Sequence, residues 1–253
     1  MFSLCIPTMD RYDDFLSKYL PTYLENDLIN EIIITDENGN DIEKIKETLP
    51  NNDKLILIQN DSRLGPFLNK IKACSYAKNE WIALIDSDNF ADKNYFVVAK
   101  NYIEKNQITQ KNIILSPSKA NPRFDFTHLN NFIYKNGNFI KNKDNENILF
   151  KNNTWHPIYS HSEVFMNAGN YIINKYLIEN LDISKETDNI KKSFACDVIY
   201  MNTLFFEQLN LHMHIVPHLE YEHVVHNGSI YINTCNEFKE FNHYVHHRYR
   251  KLI

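Results

Sequence analysis

Residues 81 to 90 read WIALIDSDNF, an apolar run that stops in two aspartates separated by one serine. A short, continuous apolar run of this kind predicts a strand buried on both faces, here over 81–85. Similar runs are FSLCI (2–6), closed by Pro7 and Thr8, EIIIT (31–35), closed by Asp36, KLILIQ (54–59) and NIILS (112–116). Segments with helical spacing lie between them. Phe15, Leu16, Tyr19, Leu20 and Leu24 share one face over 11–24, with Pro21 as a kink. Further helices are expected over 42–49, over 66–77 with Pro66 in the first turn, and over 93–105. Continuously apolar strands that alternate with helices predict an α/β fold, a mostly parallel Rossmann-like sheet flanked by helices. Such sheets bind ligands beyond the carboxyl ends of their strands. Thr8, Asp36 and Asp86 should therefore meet in one crevice.

The rhythm changes after residue 120. Residues 131–150 read as a hairpin around Asn136-Gly137 with polar loops. Helical patterns return over 174–181 and 195–208, LHMHIVP (211–217) reads as a strand, and a helix is expected from 236 onward. With no repeat and no linker, residues 1–120 and 121–253 read as two halves of one domain, the second a mixed one.

The chain has 253 residues and a formal net charge of −5. That length builds a real core, and the acidic balance counts against nucleic acid as a partner. A local basic tail, HHRYRK (246–251), reads as a solvated helix end or as a contact for phosphate or a membrane surface. Cys5, Cys74, Cys196 and Cys235 make no CxxC pair, so reduced, mostly buried thiols are expected. The opening MFSLCIPTMD has no signal-peptide character, and no apolar run approaches a transmembrane length. The expected location is cytoplasmic, free or peripheral to a membrane; no oligomeric state is specified.

On an extended segment Asp86 and Asp88 would point the same way. Two carboxylates so placed repel, and unpaired charge near a core is costly. A hard divalent cation, Mn2+ or Mg2+, relieves the conflict, because it prefers carboxylate oxygen and keeps positions for water and phosphate. The plainer reading is a pair of turn-forming aspartates.

On these stretches the sequence resembles the GT-A glycosyltransferases, in particular the large family-2-like group, closely over 2–120 and more loosely over 155–232. LCIPTMDR (4–11) is similar to that family's first strand and nucleotide-binding turn, EIIITDENGND (31–41) to its second strand with an acid facing the base, and WIALIDSDN (81–89) to the strand entering its DxD motif. AGNYIINKYLIE (168–179) resembles the acceptor-side segment. FACDVIY (194–200) falls where the family carries a pair of acids; with Cys196 in the first place, only Asp197 remains.

The resemblance implies a nucleotide-sugar site lined by Pro7, Thr8, Arg11, Asp36, Arg63, Asp86 and Ser87. Lys70 would approach the diphosphate, although the family's Arg-Asn-x-Gly pattern is poorly kept in GPFLNKIKA. Asp86 would contact ribose. Asp88 would bind the metal, joined by a histidine from YEHVVHNGSIY (221–231), with His226 preferred over His223 because it adjoins the Asn227-Gly228 turn. Asp197 would be the base, or else a helix cap. Trp155, His156 and Asn170 would line the sugar or acceptor pocket. The implied activity is metal-dependent transfer of a sugar, with a UDP-sugar favoured as donor and a glycan or other hydroxyl as acceptor, with inversion. His212 and His214 would point the same way on a strand, but no pattern of cysteines or acids completes a zinc site there.

Two other classes compete. One is a fold of this type that has lost catalysis and serves as a nucleotide-sugar-binding scaffold. The other is a metal-dependent phosphatase or nucleotidyltransferase. Phe90 stands where phosphatases of the haloacid-dehalogenase kind want a small residue, and IPTMDRYD lacks the Gly-rich basic loop of a nucleotidyltransferase.

Overall fold

The computed structural model describes residues 1–50, 52–135, 137–141, 165–226, 228–229 and 234–252. Trp155 and His156 lie outside the described residues, as does much of the polar loop after the hairpin.

Among the described residues ten strands form one sheet: β1 (Phe2–Thr8), β2 (Ile29–Asp36), β3 (Leu55–Gln59), β4 (Trp81–Leu84), β5 (Ile113–Asn121), β6 (Phe124–Asp125), β7 (Phe132–Lys135), β8 (Asn138–Lys141), β9 (Ile172–Asn174) and β10 (His212–Glu222). Their order is β3-β2-β1-β4-β9-β5-β10-β7-β8, with β6 paired to β5. The four expected βα units appear. β1 pairs in parallel with β2 and β4, and β2 pairs in parallel with β3. Every residue of β1 and β4 is buried, which is why both read as mainly apolar runs.

The helices among the described residues are α1 (Ser17–Leu24), α2 (Asn40–Thr48), α3 (Pro66–Ser75), α4 (Lys93–Lys105), α5 (Tyr176–Glu179), α6 (Thr187–Ile190), α7 (Asp197–Leu209) and α8 (Lys239–Arg250). A π-helical turn, Tyr12–Leu16, leads into α1. Apolar clusters fill both faces of the sheet. One holds Ile33, Phe67, Ile173 and Leu204 under α3 and α7, and the other holds Leu4, Ile32, Tyr95 and Phe96 under α1 and α4.

Two features depart from the sequence reading. Residues 172–173 carry no predicted element and Asn174 is expected at the start of a helix, yet 172–174 form β9, which runs antiparallel between β4 and β5 and joins them. Three apolar residues are too few to carry a period, so only the gap between two strands decides their state. The basic tail is exposed at His247, Arg250 and Lys251, as expected of a helix end, but Arg248 within it is paired. Arg248 Nη2 lies 2.8 Å from Glu186 Oε1 and 2.5 Å from Glu207 Oε2, and Tyr249 is fully buried. The pairs tie α8 to α6 and α7. The hydrogen bonds from Arg248 pull the Glu186 carboxyl down to about 2, against its partial burial.

Candidate active site

β9 is antiparallel to both β4 and β5, and β10 is parallel to β5. β1, β2, β4, β5 and β10 therefore end on one edge of the sheet. The residues at and just after these strand ends build the site: Thr8, Glu37, Asp86, Arg123 and His223 all line one cavity there. β9 runs the other way, so its entry, Asn170, faces the same edge.

The β4 end does not stay extended. Ile85 N donates to Cys5 O, and Asp86 to Asn89 closes as a turn through Asn89 N to Asp86 O at 3.0 Å. The two aspartates consequently part, contrary to their expected placement on one side of a strand. Asp86 turns inward to Lys70 and Asn170. Asp88 turns to the loop after β10, where its Oδ2 lies 2.9 Å from His226 Nε2. That loop is clipped to the turn by reciprocal backbone bonds between Phe90 and Glu222, and by Val224 N to Asn89 Oδ1 at 3.1 Å.

Lys70, on α3, reaches the centre of the site. Its Nζ is 3.0 Å from Asp86 Oδ1 and 2.5 Å from Asp197 Oδ2, the latter at the first residue of α7. Burial disfavours the ammonium, but the two carboxylates outweigh it and raise the Lys70 pKa. Burial likewise opposes the Asp86 charge, and Lys70 and Asn170 overcome it to hold that carboxyl below its ordinary range. At Asp197 burial wins: the carboxyl is raised although Lys70 pulls it down, and the Asp86 charge adds to the rise. Cys196 is buried beneath the cavity floor and does not line it, and burial pushes its thiol up to about 12.

Most of the remaining expected residues reach the cavity. Pro7, Thr8, Arg11, Arg63, Ser87 and Asn170 line it. The Thr8 hydroxyl is already committed to Asp41 Oδ2 at 2.5 Å. Arg11 straps the first loop to the last, with Nη2 2.6 Å from Gly228 O. The Arg63 guanidinium stands 5.7 Å over the Phe194 ring. Asn170, at φ 56°, holds Asp86 from two sides: its Oδ1 accepts from Asp86 N at 2.6 Å, and its Nδ2 donates to Asp86 Oδ2 at 3.3 Å.

Asp36 departs from expectation. It is fully buried and is absent from the cavity wall, and its oxygens accept from the backbone N–H groups of Asn38, Asp41 and Ile42 at the start of α2. The next residue, Glu37, takes the wall position instead. Arg123, Phe194 and Tyr221 also line the cavity and were missed. The strand-end rule that found Asp86 reaches Arg123 and Tyr221 once β5 and β10 are known to be parallel to β4. His212 and His214 sit apart from the site, bonded to Gln110 and Tyr102 respectively. Burial lowers them to about 4 and about 3.

Among the described residues no three His, Cys, Asp or Glu side chains cluster as a complete metal cage. Asp88 and His226 together present one carboxylate oxygen and one imidazole nitrogen beside the cavity. That donor set fits a divalent ion such as Mn2+ that takes its remaining oxygens from a diphosphate and water. His223 has its Nε2 3.3 Å from Arg123 Nη1, while its buried Nδ1 has no partner among the described residues. No helix among the described residues is long and apolar enough to cross a membrane.

No curated protein sequence matches the chain. Solved structures of S. aureus TarS resemble it. One matches with a TM-score of 0.60 at 13% identity, over 96% of this chain and 38% of that one. TarS 1-349 in complex with UDP-GlcNAc matches with a TM-score of 0.64 at 14% identity, over 98% of this chain and 66% of that one. The complex of TarS 1-349 with UDP gives 0.59 at 13% identity, over 98% and 64%. The chain thus spans from 38% to 66% of these relatives' lengths, and at such identity the likeness concerns the fold. The family model for glycosyl transferase family 2 matches residues 3–165. Since that match runs through β1 to β5 and the DSDN turn, the chain belongs to glycosyl transferase family 2, with the GT-A fold.

Proposed function

We propose that the chain transfers a sugar from a nucleoside diphosphate sugar, with UDP as the favoured nucleotide, to a hydroxyl of a glycan-type acceptor with inversion, and that it uses Mn2+ or Mg2+. One observation carries the reading: a single cavity at the strand ends gathers a carboxylate at a helix start, Asp197, and a separate carboxylate, Asp88, that is paired with the His226 imidazole beside it. That is the division of labour an inverting transfer needs. UDP and UDP-GlcNAc, the ligands named for TarS 1-349, are the first donors to try.

Asp197 is the general base. Burial raises its pKa above the ordinary carboxylate value, which makes it a better proton acceptor than an exposed aspartate. The acceptor O–H bond breaks and its proton passes to Asp197. The acceptor oxygen forms the new bond to the anomeric carbon, whose bond to the diphosphate breaks with the electron pair leaving on phosphate. Arg11, Arg63 and Arg123 line the cavity and offset the growing negative charge. Asp88 and His226 would hold the metal, which when bound supplies Lewis-acid stabilisation of the leaving diphosphate. Pro7, Thr8 and Ser87 shape the nucleotide side, and Asn170 keeps Asp86 in place at the cavity wall.

The test is calorimetric titration of UDP and GDP, with and without Mn2+, into the wild type and Asp88→Ala. UDP binding that needs Mn2+ and disappears in the variant is expected. A wild type that binds neither nucleotide in the presence of Mn2+ refutes the donor assignment.

A further inference from the structure

Lys70 was expected near the diphosphate, but its neighbours are two acids. The side chain is only 8% exposed, and the Asp86 and Asp197 oxygens occupy it at 3.0 and 2.5 Å. Three separate elements are pinned at this point: α3, the end of β4 and the start of α7. The cluster carries two negative charges and one positive. An ammonium so bound gains nothing by leaving two partly buried carboxylates uncompensated. Among the described residues, Arg11, Arg63 and Arg123 on the cavity wall are the cations left to meet phosphate.

We propose that Lys70 is a positioning residue that serves transfer through Asp197 and Asp86, and does not bind the donor's diphosphate. This rests on the reading of Asp197 as the base. Lys70 holds Asp197 Oδ2, which leaves Oδ1 as the oxygen that takes the acceptor's proton. When that proton arrives, Asp197 becomes neutral and the cluster passes from one net negative charge to none. Asp86 Oδ1, 3.0 Å from Lys70 Nζ, remains as a second carboxylate partner of the ammonium. Asp86, in turn, is fixed from the far side by Asn170. The groups that face Asp197 are Lys70 from α3, Asp86 from the β4 end, Tyr171 from the entry to β9, and the adjoining Cys196. Of these only Lys70 is cationic; beside it, the backbone N–H of Asp197 itself also draws the base toward its charged form.

The experiment compares Lys70→Gln and Lys70→Arg with the wild type in two measurements. The first is UDP affinity by calorimetry with Mn2+ present. Both variants should stay within about threefold of the wild type; a loss of tenfold or more in Lys70→Gln assigns Lys70 to the diphosphate and overturns the proposal. The second is carboxyl titration by NMR on protein with 13C-labelled aspartate, the Asp197 signal being identified by its absence in Asp197→Asn. In Lys70→Gln that signal should titrate about one pH unit or more higher, the size expected for losing an adjacent opposite charge. Lys70→Arg should restore it. A titration unchanged in Lys70→Gln overturns the proposal. Should Lys70→Gln not fold, the double variant Lys70→Gln/Asp197→Asn keeps the cluster's net charge and takes over the UDP measurement against Asp197→Asn, with the same threefold and tenfold limits. If the wild type binds no UDP, the donor assignment fails, while the NMR titration still decides the coupling of Lys70 to Asp197.

Discussion

Gly65 precedes α3 with φ 79° and ψ 165°, a region of backbone space nearly confined to glycine. A Cβ there would lie 3.0 Å from Phe194 Cζ. The ring cannot simply swing away, because Phe238 stacks on it at 5.6 Å between centroids and 13° between planes. Gly65→Ala therefore meets two costs. Backbone strain in this region is about 1–3 kcal/mol, and the overlap adds about 1 kcal/mol at the low end for overpacking, since Phe194 is only partly buried. The expected loss is about 2–4 kcal/mol, or roughly 4–16 °C in Tm for a chain of this size. Function should suffer beyond stability. Phe194 carries Arg63 on its face and lies three residues before Asp197, so displacing the ring moves both a cavity cation and the proposed base. Thermal melting by circular dichroism, with UDP calorimetry on the same samples, measures both effects. Phe194→Ala completes a cycle: if the overlap is real, the double variant is less destabilised than the sum of the singles, by about 1 kcal/mol. A Gly65→Ala protein that melts within about 1 °C of the wild type refutes the strain and overlap together.

Three other substitutions probe the site and the frame around it. Asp197→Asn should lower transfer by about 10²–10⁴-fold while UDP still binds, so a variant of near-normal turnover would remove Asp197 as the base. Asp36→Ala should cost about 1–2 kcal/mol through loss of the bonds to the start of α2 and leave UDP affinity within about twofold, since Asp36 does not reach the cavity; selective loss of UDP binding would return it to the base-recognition role. Arg248→Ala should destabilise by about 2–3 kcal/mol by stranding Glu186 and Glu207. Because the folded Glu186 pKa of about 2 lies below its ordinary value of 4.5, the stabilisation is present above about 4.5 and lost as pH falls toward 2. Urea melts at pH 6 and pH 3 should therefore differ less in Arg248→Ala than in the wild type.

The sequence by itself carried the βα rhythm, because strands buried on both faces must be mostly apolar, and WIALI, EIIIT and FSLCI are. It also carried the edge at which a site forms, and so Thr8, Asp86 and Asp88. The pairing partners were another matter. Asp86 meets Lys70 at sixteen residues' distance and Asp197 lies beyond both, and no local periodicity records such a meeting. The state of residues 172–174 was set by a vacancy between β4 and β5, which local propensity does not see. The split of Asp86 from Asp88 came from a backbone turn clipped to β10. Whether Asp36 or Glu37 faces the cavity was likewise a question of which carboxylate the start of α2 claimed. Local composition determines which segments must be buried; only the packed chain decides which charge lies beside which, because charges are neutralised by whatever the fold brings within about 4 Å.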